Sequence, residues 1–195
     1  MNLFQETSLK INLGCGNKKL PNHINIDSSN HCSPDILLDL ENTPYPFLDN
    51  TVSTIRLKSV LEHLPADPKK FFPIIKELYR ICENNALLYI ECPHPAHRWQ
   101  VVDFTHQKPI HIEGLQMLDK NYCEKLIAAN STKSPLAIMY DVDFRIKEYN
   151  YNLDPNCVEH IKNVLGNFDQ EKINSYVHLF NNVAATQKIT LEARK

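Results

Sequence analysis

The sequence predicts a single α/β domain with a mostly parallel sheet, and three observations lead to this prediction. Five short strand-like runs precede residue 93, an amphipathic helix separates the last two of them, and the first run ends in a Gly-x-Gly turn. A strand, a packed helix and a further strand form the repeating unit of a parallel sheet. A chain of 195 residues is the usual size of one domain. The five runs are Leu9–Leu13, His23–Ile26, Asp35–Leu38, Val52–Leu57 and Ala86–Cys92.

The helix between the last two runs extends from about Asp67 to Cys82, because its apolar residues recur at the spacing of one helix face. These residues are Phe71, Ile74, Ile75, Leu78 and Tyr79. The connections between the first three runs are shorter than the dozen residues that a parallel crossover usually needs. Each of those crossovers therefore contains a single helical turn, or the strands begin and end a few residues away from these bounds.

The second half of the chain begins with a loop rich in proline and histidine, at positions 93–106. We expect a helix over Glu113–Ala129 and a long strand over Leu136–Tyr151, which alternates in its second half. Residues Asn156–Phe180 are predicted to be helical, with a break near Gly166. The pattern of Ala184–Ala193 predicts a final strand.

Composition narrows the range of functions. The formal net charge is −2, so long-range electrostatics offer no attraction to nucleic acid, and we expect no such partner. No apolar run approaches the roughly 18 residues of a membrane span, and the first seven residues do not resemble a signal peptide. The 6 cysteines are scattered, which predicts free thiols in a reducing compartment. Together these features predict a cytoplasmic protein without a membrane partner.

The Gly-x-Gly turn and a later aspartate predict a ribose-binding site. Gly14 and Gly16 allow a ligand to approach the backbone closely, and Asp27 ends the second strand, where its carboxylate can accept hydrogen bonds from ribose hydroxyls. The dinucleotide fingerprint requires glycine where this chain has Lys19, and Pro21 interrupts any helix there. No Gly-Lys-Ser/Thr sequence is present, which excludes a P-loop. A ligand with a ribose but no phosphate fits these residues best.

The stretch Ile11–Asn17, followed by Asp27, Asp39 and Ser59–Leu64, resembles the class I S-adenosylmethionine-dependent methyltransferases. It is most similar to a small bacterial type whose first motif reads Leu-Asn-Leu-Gly-Cys-Gly. The resemblance implies a Rossmann-like, doubly wound sheet of seven strands, mostly parallel. It also implies that the last two predicted strands form a C-terminal antiparallel pair.

The resemblance further implies which residues bind S-adenosylmethionine. Asp27 would hold the ribose, Asp39 and the Leu40 backbone the adenine edge, and Lys58 and Ser59 the methionine side. Two positions depart from the family pattern: Asn12 stands where an acid is common, and Lys18 replaces a third glycine. The full set of expected cofactor residues is Asn12, Gly14, Cys15, Gly16, Asn17, Asp27, Asp39, Leu40, Lys58 and Ser59.

Methyl transfer from a sulfonium needs alignment of the nucleophile more than acid assistance, and it needs a base only if the nucleophile carries a proton. The catalytic candidates are His63, His94, Asp103 and His106. His94 directly follows the fifth strand, so on this fold it would face the methyl group. Each histidine also has a structural interpretation, and a metal site of nitrogen and oxygen ligands is a less favoured alternative for the four residues. Their spacing alone assigns no metal.

The resulting functional prediction is methyl transfer to a small-molecule or sugar-like acceptor. Two other functions stay open at this point. One is a protein that binds the cofactor without chemistry, because Asn12 and Lys18 weaken the first motif. The other is a metal-dependent enzyme that uses the His94–His106 loop. The sequence leaves the acceptor and the oligomeric state undetermined.

Overall fold

The structure is a computed structural model that describes residues 8–166 and 170–195. Its sheet has seven strands in the order β3-β2-β1-β4-β5-β7-β6. Strands β1 to β5 pair in parallel, whereas β7 runs antiparallel to both β5 and β6. This topology confirms the predicted Rossmann-like sheet with its C-terminal antiparallel pair. The strands are β1 (Leu9–Leu13), β2 (Ile24–Asp27), β3 (Ile36–Leu37), β4 (Val52–Lys58), β5 (Cys82–Pro93), β6 (Phe144–Leu153) and β7 (Ala184–Ala193).

Seven helices accompany the sheet in the described residues. They are α1 (Pro68–Ile81), α2 (Trp99–Val102), α3 (Ile112–Gln116), α4 (Lys120–Ala128), α5 (Leu136–Tyr140), α6 (Pro155–Leu165) and α7 (Gln170–Leu179). Two short 3-10 turns lie at Asn30–Cys32 and Leu61–His63. Over the same ranges, every helix is too short or too polar to cross a lipid bilayer.

Helix α1 has clear sequence determinants at its start and along its buried face. The Asp67 side chain caps it by accepting a hydrogen bond from the Lys69 N–H at 2.9 Å, and Pro68 fits the first turn. Its apolar face packs into the main core with Leu78 and Ile81 almost fully buried. On the sheet side, Ile11 and Leu13 of β1 are completely buried, as expected for a central parallel strand.

Three predicted elements are wrong in their bounds, and the first is β5, which begins at Cys82 and not at Ala86. The single helix expected over Glu113–Ala129 is divided into α3 and α4, because Asp119 caps a new helix by accepting a hydrogen bond from the Tyr122 N–H at 3.1 Å. The strand expected from Leu136 begins only at Phe144. Residues Leu136–Tyr140 are helical, and Asp141 ends that helix with a left-handed φ of 52°.

The connections around β2 resolve the earlier question about short crossovers. No helix lies between β1 and β2 in the described chain, and only the turn at Asn30–Cys32 lies between β2 and β3. The predicted break near Gly166 coincides with the end of α6, where Gly166 has a φ of 78°. Residues 167–169 of the predicted helical stretch lie outside the described residues.

Candidate active site

The turn after β1 is built on two glycines with left-handed backbone conformations. Gly14 has a φ of 61°, and a Cβ at this position would lie 2.4 Å from Val60 Cγ2. Gly16 has a φ of 48°, but a Cβ there would meet no atom within 4 Å. Gly14 therefore allows close packing inside the fold, whereas Gly16 leaves open space above the turn where a ligand can approach the backbone.

Asp27 connects the end of β2 to this turn. Its Oδ2 accepts a hydrogen bond from the Gly16 N–H at 2.8 Å, and its Oδ1 accepts one from the Ser29 N–H at 2.9 Å. A carboxylate has about four acceptor positions, so roughly two are left over. Asp39 is arranged in the same way, since its Oδ1 accepts from the Glu41 N–H at 2.9 Å. Both carboxylates are thus oriented by backbone and can still accept bonds from a ligand.

The Asn12 side chain stabilises the glycine turn through hydrogen bonds. Its side-chain amide donates to the Asn25 Oδ1 at 3.0 Å and to the Lys18 carbonyl at 3.2 Å, and the Lys18 N–H closes the turn on Cys15 O at 2.9 Å. Both protons of the Asn12 amide are therefore used within the protein. Its Oδ1 accepts no hydrogen bond from residues 8–166 or 170–195, so an acceptor atom remains available.

Two clefts meet at this turn and share Gly14, Gly16 and Ser59. The first cleft has a volume of about 290 Å³, and the second has a volume of about 540 Å³. The other predicted residues in the wall of the first cleft are Asp27, Asp39 and Leu40. The other predicted residues in the wall of the second cleft are Asn12, Cys15, Asn17 and Lys58. The fold thus gathers all ten expected cofactor residues around one continuous turn.

The end of β4 borders both clefts. Ser59 has a left-handed φ of 53°, and its N–H donates to the Glu91 carbonyl at 2.7 Å. Lys58 forms an ion pair with the Glu91 carboxylate at 2.9 Å, which fixes its charge beside the second cleft. On the other side of the turn, the Tyr45 hydroxyl donates to the Leu40 carbonyl at 2.9 Å.

The backbone of Cys15 is part of the turn, whereas its side chain is buried. Burial, together with the nearby Cys32 and Asp27, raises the pKa of the Cys15 thiol to about 11. The thiol is therefore protonated and unreactive near neutral pH. Its contribution to the turn is packing, and its backbone N–H extends the sheet by donating to Ile26 O at 3.0 Å.

Two of the predicted catalytic histidines lie together. The rings of His63 and His106 contact edge to face, with 4.6 Å between their centroids. His63 also lines the first cleft, while His106 lines a third cleft of about 390 Å³ together with Asp103. The Asp103 carboxylate holds the loop by accepting bonds from the Thr105 N–H and hydroxyl. Three of the four catalytic candidates are thus neighbours, at the junction of two clefts.

Glu62 borders the candidate site and was not among the residues predicted from the sequence. It is completely buried, and neither of its carboxylate oxygens accepts a hydrogen bond of normal geometry from the described residues. Burial raises the pKa of the Glu62 carboxyl, and the nearby backbone N–H groups and the rings of His63 and His106 only partly oppose this rise. The Glu-His pair after β4 was visible in the sequence, but its burial depends on packing from distant loops.

His94 lies apart from this group. Its backbone N–H donates to the Ala185 carbonyl at 3.0 Å, beside the start of β7. Burial lowers the pKa of His94, and the neighbouring His111, His178 and His97 lower it further. His94 is therefore neutral near pH 7, in a separate group of histidines.

Another histidine of the same loop is structural. His97 is 2% exposed, and its Nε2 donates to Asp154 Oδ2 at 3.1 Å, while its Nδ1 accepts from the Trp99 N–H at 3.1 Å. Asp154 also caps α6, because its Oδ1 accepts bonds from the first backbone N–H groups of that helix. The hydrogen bond between His97 and Asp154 therefore connects the loop after β5 to the start of α6.

The chain was compared with protein-family models, curated proteins and solved structures. No protein-family model and no curated protein matches the chain. Among solved structures, a SAM-dependent methyltransferase from Archaeoglobus fulgidus matches with a TM-score of 0.55 and 19% identity, over 97% of this chain and 87% of that chain. The YcgJ protein from Bacillus subtilis matches with a TM-score of 0.54 and 8% identity, over 100% of this chain and 94% of that chain.

A third structure was solved with ligands. The phosphoethanolamine N-methyltransferase 2 of Haemonchus contortus, in complex with phosphomonomethylethanolamine and S-adenosylhomocysteine, matches with a TM-score of 0.52 and 10% identity. The match covers 100% of this chain and 51% of that chain. At these identities the likeness is one of fold. The chain has the Rossmann-like fold of the class I S-adenosylmethionine-dependent methyltransferases.

Proposed function

We propose that this protein binds S-adenosylmethionine at the turn between the first and second clefts and transfers its methyl group to a small-molecule or sugar-like acceptor. The observation that carries this proposal is the arrangement of Asp27, Asp39 and Gly16. Two backbone-oriented carboxylates with spare acceptor positions stand beside a turn with open space at the glycine. This combination suits a ribose and a base better than it suits a phosphate, which two carboxylates would repel.

The residues present fit this cofactor along its length. In the proposal, Asp27 accepts hydrogen bonds from the ribose hydroxyls, while Asp39 and the Leu40 N–H bind the adenine edge. The Leu40 N–H donates no hydrogen bond to residues of the described chain, which supports that role. On the methionine side, Asn12 Oδ1 accepts from the ammonium, and Lys58 and Ser59 bind the carboxylate end. The cofactor supplies an electrophilic methyl group on a sulfonium.

A separate cleft, the third, is available for the methyl acceptor. The third cleft is lined by residues of the 95–109 loop, both polar, such as Asp103 and Lys108, and apolar, such as Phe104. His106 stands between this cleft and His63 in the wall of the first cleft. We assign handling of the acceptor to His63 and His106, with Asp103 as the residue that positions their loop. His94 is assigned to this role only if substitutions of His63 and His106 leave turnover unchanged, since it lies in the other histidine group.

The proposal is tested with S-adenosylhomocysteine and the purified full chain. We expect micromolar binding by calorimetry, and a ligand at 100 times its dissociation constant should stabilise the fold by about 2.7 kcal/mol in a melting experiment. Absence of both heat and melting shift at millimolar ligand would overturn the proposal. Transfer of a radiolabelled methyl group to a panel of hydroxylated small molecules tests the chemistry, and binding without any transfer would instead indicate a cofactor-binding protein.

A further inference from the structure

The side chains of Glu62, His63 and His106 converge. Each brings one ligand atom to within 4.8 Å of the other two. Glu62 is completely buried, and neither of its carboxylate oxygens has a hydrogen-bond partner of normal geometry in the described ranges, although the Val60 and Glu62 N–H groups lie close enough to lower its pKa. A buried carboxylate normally has a cation or several donors around it. Two imidazole rings therefore converge on the Glu62 carboxylate, and the three side chains together form a potential binding site for a cation.

The hydrogen bonds of the two histidines leave nitrogen lone pairs for such a partner. His106 Nδ1 lies 3.2 Å from the Gln100 carbonyl, which can only accept, so Nδ1 carries the proton. His106 Nε2 is 3.8 Å from the Asp103 carboxylate, which is beyond hydrogen-bond distance, and therefore keeps its lone pair. His63 Nδ1 lies 3.0 Å from the Thr105 hydroxyl, and that hydroxyl already donates to Asp103 at 2.6 Å. His63 Nδ1 is therefore also a donor. Outer partners that fix the ring nitrogens in this way are typical of metal-binding histidines.

We infer that Glu62, His63 and His106 form a binding site for a divalent transition-metal ion. Two imidazole nitrogens and one carboxylate oxygen suit Zn²⁺ and its first-row neighbours, whereas Mg²⁺ and Ca²⁺ prefer oxygen ligands alone. Three protein ligands leave at least one coordination position for water or a ligand. The inference does not rest on the proposed methyl transfer, although it uses His63 and His106, the residues to which handling of the acceptor is assigned. Since His63 also lines the first cleft, the metal would lie beside the proposed cofactor site.

Protonation of Glu62 does not remove the need for a partner. A neutral carboxyl group has one O–H donor, and the described chain offers no acceptor in hydrogen-bond geometry to either oxygen. A metal ion satisfies the carboxylate and both imidazole lone pairs together.

A second group of possible ligands is less suitable. Cys15, Asp27 and Cys32 also lie within 4.8 Å of one another. Both Asp27 oxygens already accept backbone hydrogen bonds, and the Cys32 thiol donates to the Ser29 carbonyl at 3.0 Å. These groups are satisfied without an ion, which distinguishes them from the Glu62 group.

The experiment uses the full chain after removal of metals with a chelator. Calorimetric titration with Zn²⁺ should give one ion per chain with micromolar or tighter affinity, together with a higher melting temperature. Glu62→Gln and His106→Gln should each weaken Zn²⁺ binding at least tenfold. The matched control is His111→Gln, because the His111 side chain is 61% exposed and lies outside the group. Its affinity for Zn²⁺ should equal that of the unmodified chain.

Titration with Co²⁺ tests the ligand set without any substitution. We expect visible d–d bands without the near-ultraviolet charge-transfer band that a thiolate ligand produces. The inference is overturned if Zn²⁺ fails to bind at one per chain, if both Gln variants bind it normally, or if Cys15→Ser abolishes binding. S-adenosylhomocysteine binding is measured on the same metal-free samples. If the unmodified chain binds S-adenosylhomocysteine but no Zn²⁺, the metal site alone is refuted. If it binds Zn²⁺ but no S-adenosylhomocysteine, the proposed function alone is refuted.

Discussion

Asp27 accepts a hydrogen bond from the Gly16 N–H across 2.8 Å, which joins the tip of β2 to the turn that follows β1. The same carboxylate orders the start of the next loop through the Ser29 N–H. One side chain therefore shapes the turn and also presents acceptor positions to the first cleft. Its removal should affect ligand binding more than it affects the rest of the fold.

We expect Asp27→Ala to weaken S-adenosylhomocysteine binding by at least one to two orders of magnitude, the equivalent of one lost hydrogen bond. The loss of a charged acceptor is typically worth about 1.5–3 kcal/mol per hydrogen bond. Calorimetry of the folded variant measures this change. Asp67→Ala is the control, because it removes an aspartate that also accepts a backbone hydrogen bond but lies at the start of α1, outside the clefts. Unchanged affinity in Asp27→Ala would show that the ribose-binding role is assigned to the wrong residue.

The two glycines of the turn should differ in their tolerance of alanine. Gly14→Ala forces a side chain into left-handed backbone and against Val60, so we expect a loss of about 2–5 kcal/mol from strain and overpacking together. Gly16→Ala has only the backbone penalty of about 1–2 kcal/mol, since its Cβ meets no atom. Urea denaturation measures both. The double variant Gly14→Ala/Val60→Ala should recover part of the loss, and equal losses in the two single variants would contradict this reasoning.

The His97–Asp154 pair should contribute stability that depends on pH. The hydrogen bond from His97 is the main cause that lowers the pKa of Asp154, and bonds to the first N–H groups of α6 add to it. A carboxyl whose pKa is lower in the folded state stabilises the fold above its unfolded pKa of 3.8. That contribution is lost as the pH falls through the folded value, so unfolding should become easier in this acidic range.

Asp154→Ala removes both interactions at once. It loses a helix cap worth about 1 kcal/mol and leaves the buried His97 N–H without an acceptor, a further cost of about 1–3 kcal/mol. Asp67→Ala loses only a cap, of α1, and should cost about 1 kcal/mol. Thermal denaturation between about pH 3 and pH 7, a range that includes the ordinary pKa values of carboxyl groups, compares the two variants. A similar loss in both would show that His97 adds nothing to the pair.

His94 should make the fold more sensitive to acid. Its pKa is lowered from 6.5 by burial and by His111, His178 and His97, with Glu113 as the opposing charge. The unfolded chain binds the proton more readily, so stability rises with pH from the folded pKa up to 6.5. His94→Gln should therefore flatten the dependence of melting temperature on pH just below 6.5, relative to His31→Gln, which changes an exposed histidine. An unchanged slope would mean that His94 titrates normally.

Much of the fold could be predicted locally. The apolar periodicity of β1 and α1 is visible in the sequence, as is the Asp67 cap of α1. The glycines at positions 14 and 16 indicate the left-handed backbone of the turn. The split of the helix at Asp119 and the short helix α5 could not be found in this way. The Phe144 N–H donates to the Leu118 carbonyl at 2.8 Å, so a contact across 26 positions helps to decide where these elements end.

The sequence by itself determined the order of the strands along the chain and the glycine turn after the first of them, because each depends on neighbouring residues. Only the tertiary structure decided which histidines meet. His106 packs against His63 whereas His94 lies beside His97 and His111, since the loop after β5 folds back over the turn after β4. The burial of Glu62 has the same origin, because desolvation is a property of the surrounding packing and cannot be inferred from residue order.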